Sequence, residues 1–346
     1  MATRATRWAA GRSIAGRWIP GRWIAVRWIA GLSATVLLAG GCSLLNGSSA
    51  DTAAPAAGHT TINVGIIATV DDAPVKLAQA KGYFGAEGLE ANVKVYPSVT
   101  QTMPALQSGE IDVTLMNYVS FFQAEAAKTI DGKVVSDAYQ GTPDSLVLLA
   151  KPDAGIRAPK DLVGKKVSVH AKGNIVELLI KAVLQDNGVD PNSVTYLEVK
   201  FPQIPAAVAN GQIDAGGDLE PYITQGEQQF GVQPTFKIVT GATDNIPLSG
   251  YVATNKFITA HPDTVAAFQR AMVKAQKAAA DRTAISSVLP DLTGVDKQTS
   301  SLLKLGVYPT SVDATRLQRV VTLMKTYGYL QQSMDVSGLI VPTPNS

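Results

Sequence analysis

The chain has 346 residues, 46% hydrophobic, 17% charged and 6% aromatic, with 30 glycines, 19 prolines and one cysteine. These proportions exclude a disordered or collagen-like chain, and the lone cysteine excludes a disulfide framework or a cysteine-rich metal site. The formal charge of +2 conceals an acidic body: six arginines fall in the first 30 residues, so the remainder holds 24 basic against 28 acidic residues, which argues against a nucleic-acid partner.

Residues 1–41 read as an export signal. Arg4, Arg7, Arg12, Arg17, Arg22 and Arg27 supply a positive flank without any acid. From Arg7 to Arg27 they recur every five residues, a step of about 140° around a helix, so they form no single basic stripe. Ile29 to Gly41 is an uncharged stretch of thirteen residues, short of the ~20 needed to span a bilayer. It ends in Leu37-Leu38-Ala39-Gly40-Gly41-Cys42. This run resembles the bacterial lipobox, although Ala39 stands where that motif usually has Leu. The resemblance implies that the Cys42 thiol is acylated and becomes the first residue of the mature protein, anchoring it outside the cytoplasm by more than one acyl chain. Translation starting near Val26 would give an ordinary short signal. Residues 42–61, which include the small and polar run Asn46 to Thr60, read as a tether between the lipidated cysteine and the body.

Beyond the tether, the length calls for two core-bearing units. Strand and helix patterns alternate: strand Ile62 to Ala68, a helix from Ala73 to about Tyr83, strand Leu89 to Tyr96, helix Gln101 to Gln107 and strand Ile111 to Met116. After the apolar run Ser145 to Ala150, a second series follows. It comprises strand Val167 to His170, a helix from about Asn174 to Asp186, strand Val194 to Val199, helix Ile204 to Asn210, strand Ile213 to Ala215, helix Glu220 to Gln229 and strand Phe236 to Val239. An extended piece, Tyr251 to Thr254, precedes helices alone: Pro262 to about Ser287, Asp296 to Leu305 and Val312 to Tyr327. Such alternation predicts parallel α/β sheets with helices on both faces and right-handed crossovers. Leu106-Gln-Ser-Gly-Glu-Ile-Asp-Val113 returns 102 residues later as Val208-Ala-Asn-Gly-Gln-Ile-Asp-Ala215. Each copy reads as a helix end, a glycine C-cap and a strand with a buried Ile, so two lobes share one plan.

The order of helix-Gly-Glu-Ile-Asp, then Pro159-Lys-Asp-Leu-Val-Gly-Lys-Lys-Val167, then Gly211-Gln-Ile-Asp-Ala215 with Glu220-Pro221-Tyr222 resembles the substrate-binding proteins of nitrate, sulfonate and taurine ABC importers, whose fold the thiamine-precursor binders share. The resemblance covers about residues 62–330. It implies a two-lobe, periplasmic-binding-protein-like α/β fold of type II, each lobe a mostly parallel sheet with flanking helices. Lobe 1 would comprise 62–151 plus 250–346 and lobe 2 152–249, joined by two crossing strands near Ala150 and Gly250. The implied protein is a monomer without cofactor or metal that traps a small organic solute between the lobes and delivers it to an ABC permease.

Strand-end geometry places ligand contacts at Thr69, Asp71 and Asp72, at Asn117 and Tyr118, at Lys172, Gly173 and Asn174, and at Asp218, Glu220 and Tyr222. Asp71, Asp72 and Asn174 serve equally well as helix caps; Glu220 also suits a helix dipole and Tyr118 and Tyr222 a core, but the tyrosines are read as contacts because they follow strand ends. Sulfonate binders of this type usually carry a Gly-Ser-rich turn with a His where this chain has Ala171-Lys172-Gly173-Asn174-Ile175, and no arginine lies in any of these loops. Asp71, Asp72, Asp218 and Glu220 predict a negative mouth, better suited to a zwitterion, an amine-bearing heterocycle or a thiamine-type pyrimidine than to nitrate.

The competing class is an exported enzyme or a fold-related enzyme of pyrimidine or thiamine-precursor metabolism. Acylation would consume the only thiol, and His59, His170 and His261 are far apart, with a lone strand-end His170 reading as structural. An Asp71/Glu220 carboxylate pair remains open, but the chain lacks a barrel pattern, a phosphate-binding loop and Cys/His metal spacings. A receptor that signals through a membrane partner would leave the same features.

Overall fold

The computed structural model describes residues 59–344. The export signal, the start near Val26, Cys42 and most of the tether lie outside the described residues. Ten strands form two five-stranded sheets. In chain order they are β1 (Thr60–Ile67), β2 (Leu89–Tyr96), β3 (Val113–Asn117), β4 (Gly132–Gln140), β5 (Leu146–Ala150), β6 (Lys166–Val169), β7 (Thr195–Glu198), β8 (Ala215–Leu219), β9 (Gln233–Lys237) and β10 (Pro247–Thr254).

The first sheet has the order β2-β1-β3-β10-β4 and the second β7-β6-β8-β5-β9. In the first, β1 runs parallel to β2 and β3, and β10 runs antiparallel to β3 and β4. In the second, β6 runs parallel to β7 and β8, and β5 runs antiparallel to β8 and β9. Each sheet is therefore mixed, with four strands pointing one way and one inserted against them. The inserted strand is in each case the first one laid down after the chain crosses between sheets.

Sheet membership also moves the crossings. Leu146–Ala150 belongs to the second sheet, and all of Pro247–Thr254 belongs to the first. The chain crosses in residues 141–145 and 238–246, upstream of the positions near Ala150 and Gly250 that sequence suggested, because the apolar run Leu146–Ala150 is buried on both faces between β8 and β9.

The repeated Gly-x-Ile-Asp motif builds the same joint twice. Gly109 and Gly211 take φ of 78° and 69°, the left-handed conformation open to glycine, as each helix ends. Ile111 and Ile213 are buried. The Asp112 carboxylate accepts the backbone N–H of Asn63 at 2.8 Å, and Asp214 accepts that of Lys166 at 2.8 Å, while the N–H of each aspartate donates to the carbonyl of the same strand residue. Each aspartate thus ties the strand that follows it to a parallel neighbour, β3 to β1 and β8 to β6, ahead of the ladder.

Several expected elements differ. Strand β8 runs Ala215–Leu219, later than Ile213 to Ala215, because residues 211–214 are used by the glycine turn and its carboxylate joint. The helix expected from Glu220 to Gln229 is a short turn, Tyr222–Gln225, continued by a wide five-residue turn, Gly226–Phe230. The helix from Pro262 ends at Ala279, and Asp281 caps a new one by accepting the Thr283 N–H. Helix Tyr118–Ala126 and strand β4 were not foreseen. No helix among the described residues is long and apolar enough to cross a membrane.

Replacing Asp112 or Asp214 by Ala leaves a strand N–H without its acceptor. Each is expected to cost about 0.5–1.5 kcal/mol, less for Asp214, whose partner N–H is exposed, seen as a lower urea midpoint with an unchanged slope.

Candidate functional site

The carboxyl ends of the parallel strands of both sheets face one cavity of about 390 Å³, the position at which open α/β sheets bind ligands. From the first sheet come Ala68, Thr69 and Asp71 after β1, Tyr96 and Pro97 from β2, Asn117 from β3, Tyr139 from β4 and Ser249 from β10. From the second come His170 after β6, Lys200, Phe201 and Pro202 after β7, Leu219 from β8, Tyr222, and the first residues of helix Ile175–Asp186.

Three rings on the second half form a ladder. His170 stacks on Phe201 with centroids 4.2 Å apart, and Phe201 lies nearly parallel to Tyr222, at 11° and 6.3 Å. Offset stacks of this kind present a flat apolar wall. Burial depresses the His170 imidazole to about 3, so it is neutral at physiological pH. The amide nitrogen of Asn174 lies against its Nε2.

Among the described residues, Asp71 is the only carboxylate that lines the cavity, and Lys200 the only ammonium. Burial pushes the Asp71 carboxyl up to about 6, against the Ser249 hydroxyl, which donates to it at 2.6 Å and favours the charged form. At neutral pH Asp71 is therefore ionised but easily protonated.

Of the eleven expected contact residues, Thr69, Asp71, Asn117 and Tyr222 line the cavity. Asn117 also caps helix Tyr118–Ala126 by accepting the Ser120 N–H. The others lie off the cavity, and all but the exposed Lys172 are tied into the framework. Asp72 accepts the Ile67 N–H and the Tyr251 hydroxyl, and burial raises its pKa well above the carboxylate range. Tyr118 is a core aromatic that donates to Asp137 at 2.7 Å. Lys172 and Gly173 lie in the turn before the helix, where the Gly173 N–H donates to Glu177. Asn174 is the cap of that helix, accepting the Val176 N–H. Asp218 sits within β8, fully buried, with one oxygen taken by the Leu219 N–H.

Glu220 is buried off the cavity. Its carboxylate accepts the Thr224 N–H and hydroxyl and, at 2.9 Å, the N–H of Lys304. The segment that carries Lys304 is itself fastened to the first sheet: Val307 pairs with Gln140, and the Gly306 N–H donates to the Tyr139 hydroxyl. Residues 303–308 are thus a non-covalent connection between the halves, in addition to the two crossings. With Asp72, Asp218 and Glu220 withdrawn from the cleft, the expected negative mouth is replaced by aromatic walls with one acid and one base.

Sequence reasoning missed Tyr96, Tyr139, Lys200, Phe201 and Ser249. Tyr96-Pro97 and Lys200-Phe201-Pro202 follow β2 and β7, so the same strand-end rule would have found them had it been applied to the outer strands.

Two matching halves around a cleft define a two-lobed protein of the periplasmic-binding-protein fold. Among solved structures, the ligand-binding component of an ABC-type import system from Staphylococcus aureus, solved with zinc bound, superposes with a TM-score of 0.70 at 15% identity, covering 82% of this chain and 97% of that one. Residues 70–283 match the family described as NMT1/THI5 like, and the chain belongs to that family. Among curated proteins, it is 26% identical over 278 residues to a putative aliphatic sulfonates-binding protein of Bacillus subtilis, covering 77% of this chain and 78% of the relative. It is also 25% identical over 219 residues to 4-amino-5-hydroxymethyl-2-methylpyrimidine phosphate synthase of Schizosaccharomyces pombe, covering 58% and 59%.

Because Glu220 holds Lys304 and Thr224 and does not line the cavity, Glu220→Ala is expected to lower stability by about 1–3 kcal/mol, read as a lower urea midpoint. Glu220→Gln should leave the order of affinities among taurine, thiamine and nitrate unchanged in calorimetric titrations.

Proposed function

We propose that the chain is an extracytoplasmic solute-binding protein that holds a small organic solute between its lobes and delivers it unaltered to an ABC permease, tethered to the membrane through acylated Cys42. The observation that carries this reading is a cavity walled by the strand ends of both sheets. Its family, the B. subtilis relative and the S. aureus fold neighbour support it. Lobe closure converts binding energy into a shape that a permease can read. The lobes we assign are the halves built on the two sheets, with the helices from Pro262 onward joined to the first.

The lining narrows the solute. The ring ladder His170-Phe201-Tyr222 favours a flat or apolar body, and Asp71 with Ser249 favours a protonated nitrogen at one end. Lys200 could meet an anionic group at the rim. Thr69, Asn117 and Tyr222 complete the proposed contacts. An amine-bearing solute, such as a taurine-type zwitterion or a thiamine-type pyrimidine, fits this lining better than nitrate, because no guanidinium is among the lining residues.

The synthase likeness favours a second reading, an enzyme of pyrimidine metabolism. The cavity histidine counts against it as an acid or base, since burial depresses its pKa to about 3, too weak a base to take a proton near neutral pH and unprotonated as an acid, and its near neighbours are an amide and a phenyl ring.

Thermal denaturation of the full chain with thiamine, taurine, methanesulfonate and nitrate tests the reading. A solute at 100 times its Kd adds about 2.7 kcal/mol of stability. An amine-bearing solute should raise the midpoint most, without being consumed. Silence from all four, or turnover of a bound pyrimidine, would overturn the binding role.

The sign of the pH effect follows from Asp71. Its pKa is raised on folding from 3.8 to about 6, so the folded chain holds a proton there that the unfolded chain releases. The stability contributed by that proton is present below pH 4 and is lost as pH rises to about 6. In the ligand-free chain, wild type should lose stability relative to Asp71→Asn across this window. Affinity for thiamine should instead fall as pH drops below about 6, and Asp71→Asn should weaken it at least about tenfold at pH 7.5.

A further inference from the structure

Hydrogen bonds that join the two walls of the cavity are scarce. Among the described residues, the one that links cavity-lining side chain to cavity-lining backbone across the halves runs from the Tyr222 hydroxyl to the Ala68 carbonyl, at 3.3 Å. Tyr222 follows β8 of the second sheet, and Ala68 follows β1 of the first. The bond therefore exists only while the lobes stand this close.

The ring that carries this hydroxyl is not independent of the solute site. It lies parallel to Phe201, which is stacked on His170, and all three line the cavity. A flat solute pressed against Phe201 and the ring of Tyr222 fixes the angle of the phenol, and with it the aim of the hydroxyl at Ala68. The donor is constant over the working pH range, because burial, with the nearby Asp218 adding to it, pushes the phenol up to about 12. The acceptor is a backbone carbonyl in the loop after β1, whose position is fixed by Asp72: its carboxylate takes the Ile67 N–H at 2.8 Å and the Tyr251 hydroxyl at 2.9 Å. A donor on one lobe thus meets an acceptor fixed on the other.

We infer that Tyr222 is a closure latch, whose ring senses the solute and whose hydroxyl locks the lobes over it by bonding to Ala68. This rests on the solute-binding reading above and adds to it the residue that sets how long the solute is retained. A neutral hydrogen bond of this kind contributes modestly, so its loss should speed release about three- to tenfold. The association rate should change less than the release rate, because the solute enters molecules in which the lobes stand apart and the latch is already open.

The experiment compares the full chain carrying Cys42→Ser with the same chain carrying Tyr222→Phe, which keeps the stacking ring and removes the donor. Spin labels at Glu90→Cys and Lys160→Cys, exposed positions on the two halves, report the distance between lobes. In the solute-free state, Tyr222→Phe should shift the distance distribution toward longer separations, and identical distributions would overturn the latch whether or not any solute binds. Adding thiamine or taurine then separates the two claims. If wild type contracts and Tyr222→Phe releases the solute at the same rate as wild type, the latch fails while the binding role stands. If neither compound contracts wild type, the binding reading is what fails, and the solute-free comparison still decides the latch. Tyr222→Leu, which removes ring and hydroxyl together, should release faster than Tyr222→Phe if the ring also senses the solute.

Discussion

The architecture depends on one topological constraint, an exchange of strands between the sheets. After β4 the chain leaves the first sheet, and β5 inserts antiparallel between β8 and β9; after β9 it returns, and β10 inserts antiparallel between β3 and β4. Both crossings therefore lie beside the fourth position of a sheet, and both sets of parallel strands end toward the same gap. A cleft is the consequence. Parallel strands need their faces covered by helices, so the strand ends are the part of each sheet left open to a solute.

Inside that gap the balance of forces favours packing over charge. A ring ladder exposes apolar area to the cavity, beside one carboxylate and one ammonium among its described lining residues. The remaining acids near the cleft are committed to the framework. Asp72 binds the end of β1 to Tyr251, and Glu220 binds the second half to the strap at Lys304. Their raised pKa values come first from burial, opposed by the hydrogen bonds they accept. They brace the cavity walls without lining the cavity themselves.

Much of this was legible in the sequence. Strand Leu89–Tyr96 and helix Ile175–Asp186 stand where the apolar patterns put them, because each has a clear period and, for the helix, a capping Asn174. The repeated Gly-x-Ile-Asp was readable as a shared plan, although its carboxylate joint required the neighbouring strand to be seen. Residues 118–140 were opaque for physical reasons. Helix Tyr118–Ala126 buries Tyr118, Val119, Phe121, Phe122 and Ala124, which leaves little polar face to mark its period. Strand β4 carries a buried Asp137, tolerable only because Arg316 and Tyr118 reach it from distant or unmarked parts of the chain. The candidate site was half legible: strand ends located the cleft, but whether an acid there faces solute or framework depends on partners such as Lys304 and Tyr251, far away in sequence.

The central claim is that solute is held by two halves that move together around it. Small-angle scattering of the full chain, with and without a saturating solute identified by its thermal shift, tests this most directly. The account predicts a smaller radius of gyration in the bound state. Tight binding with no contraction would contradict it.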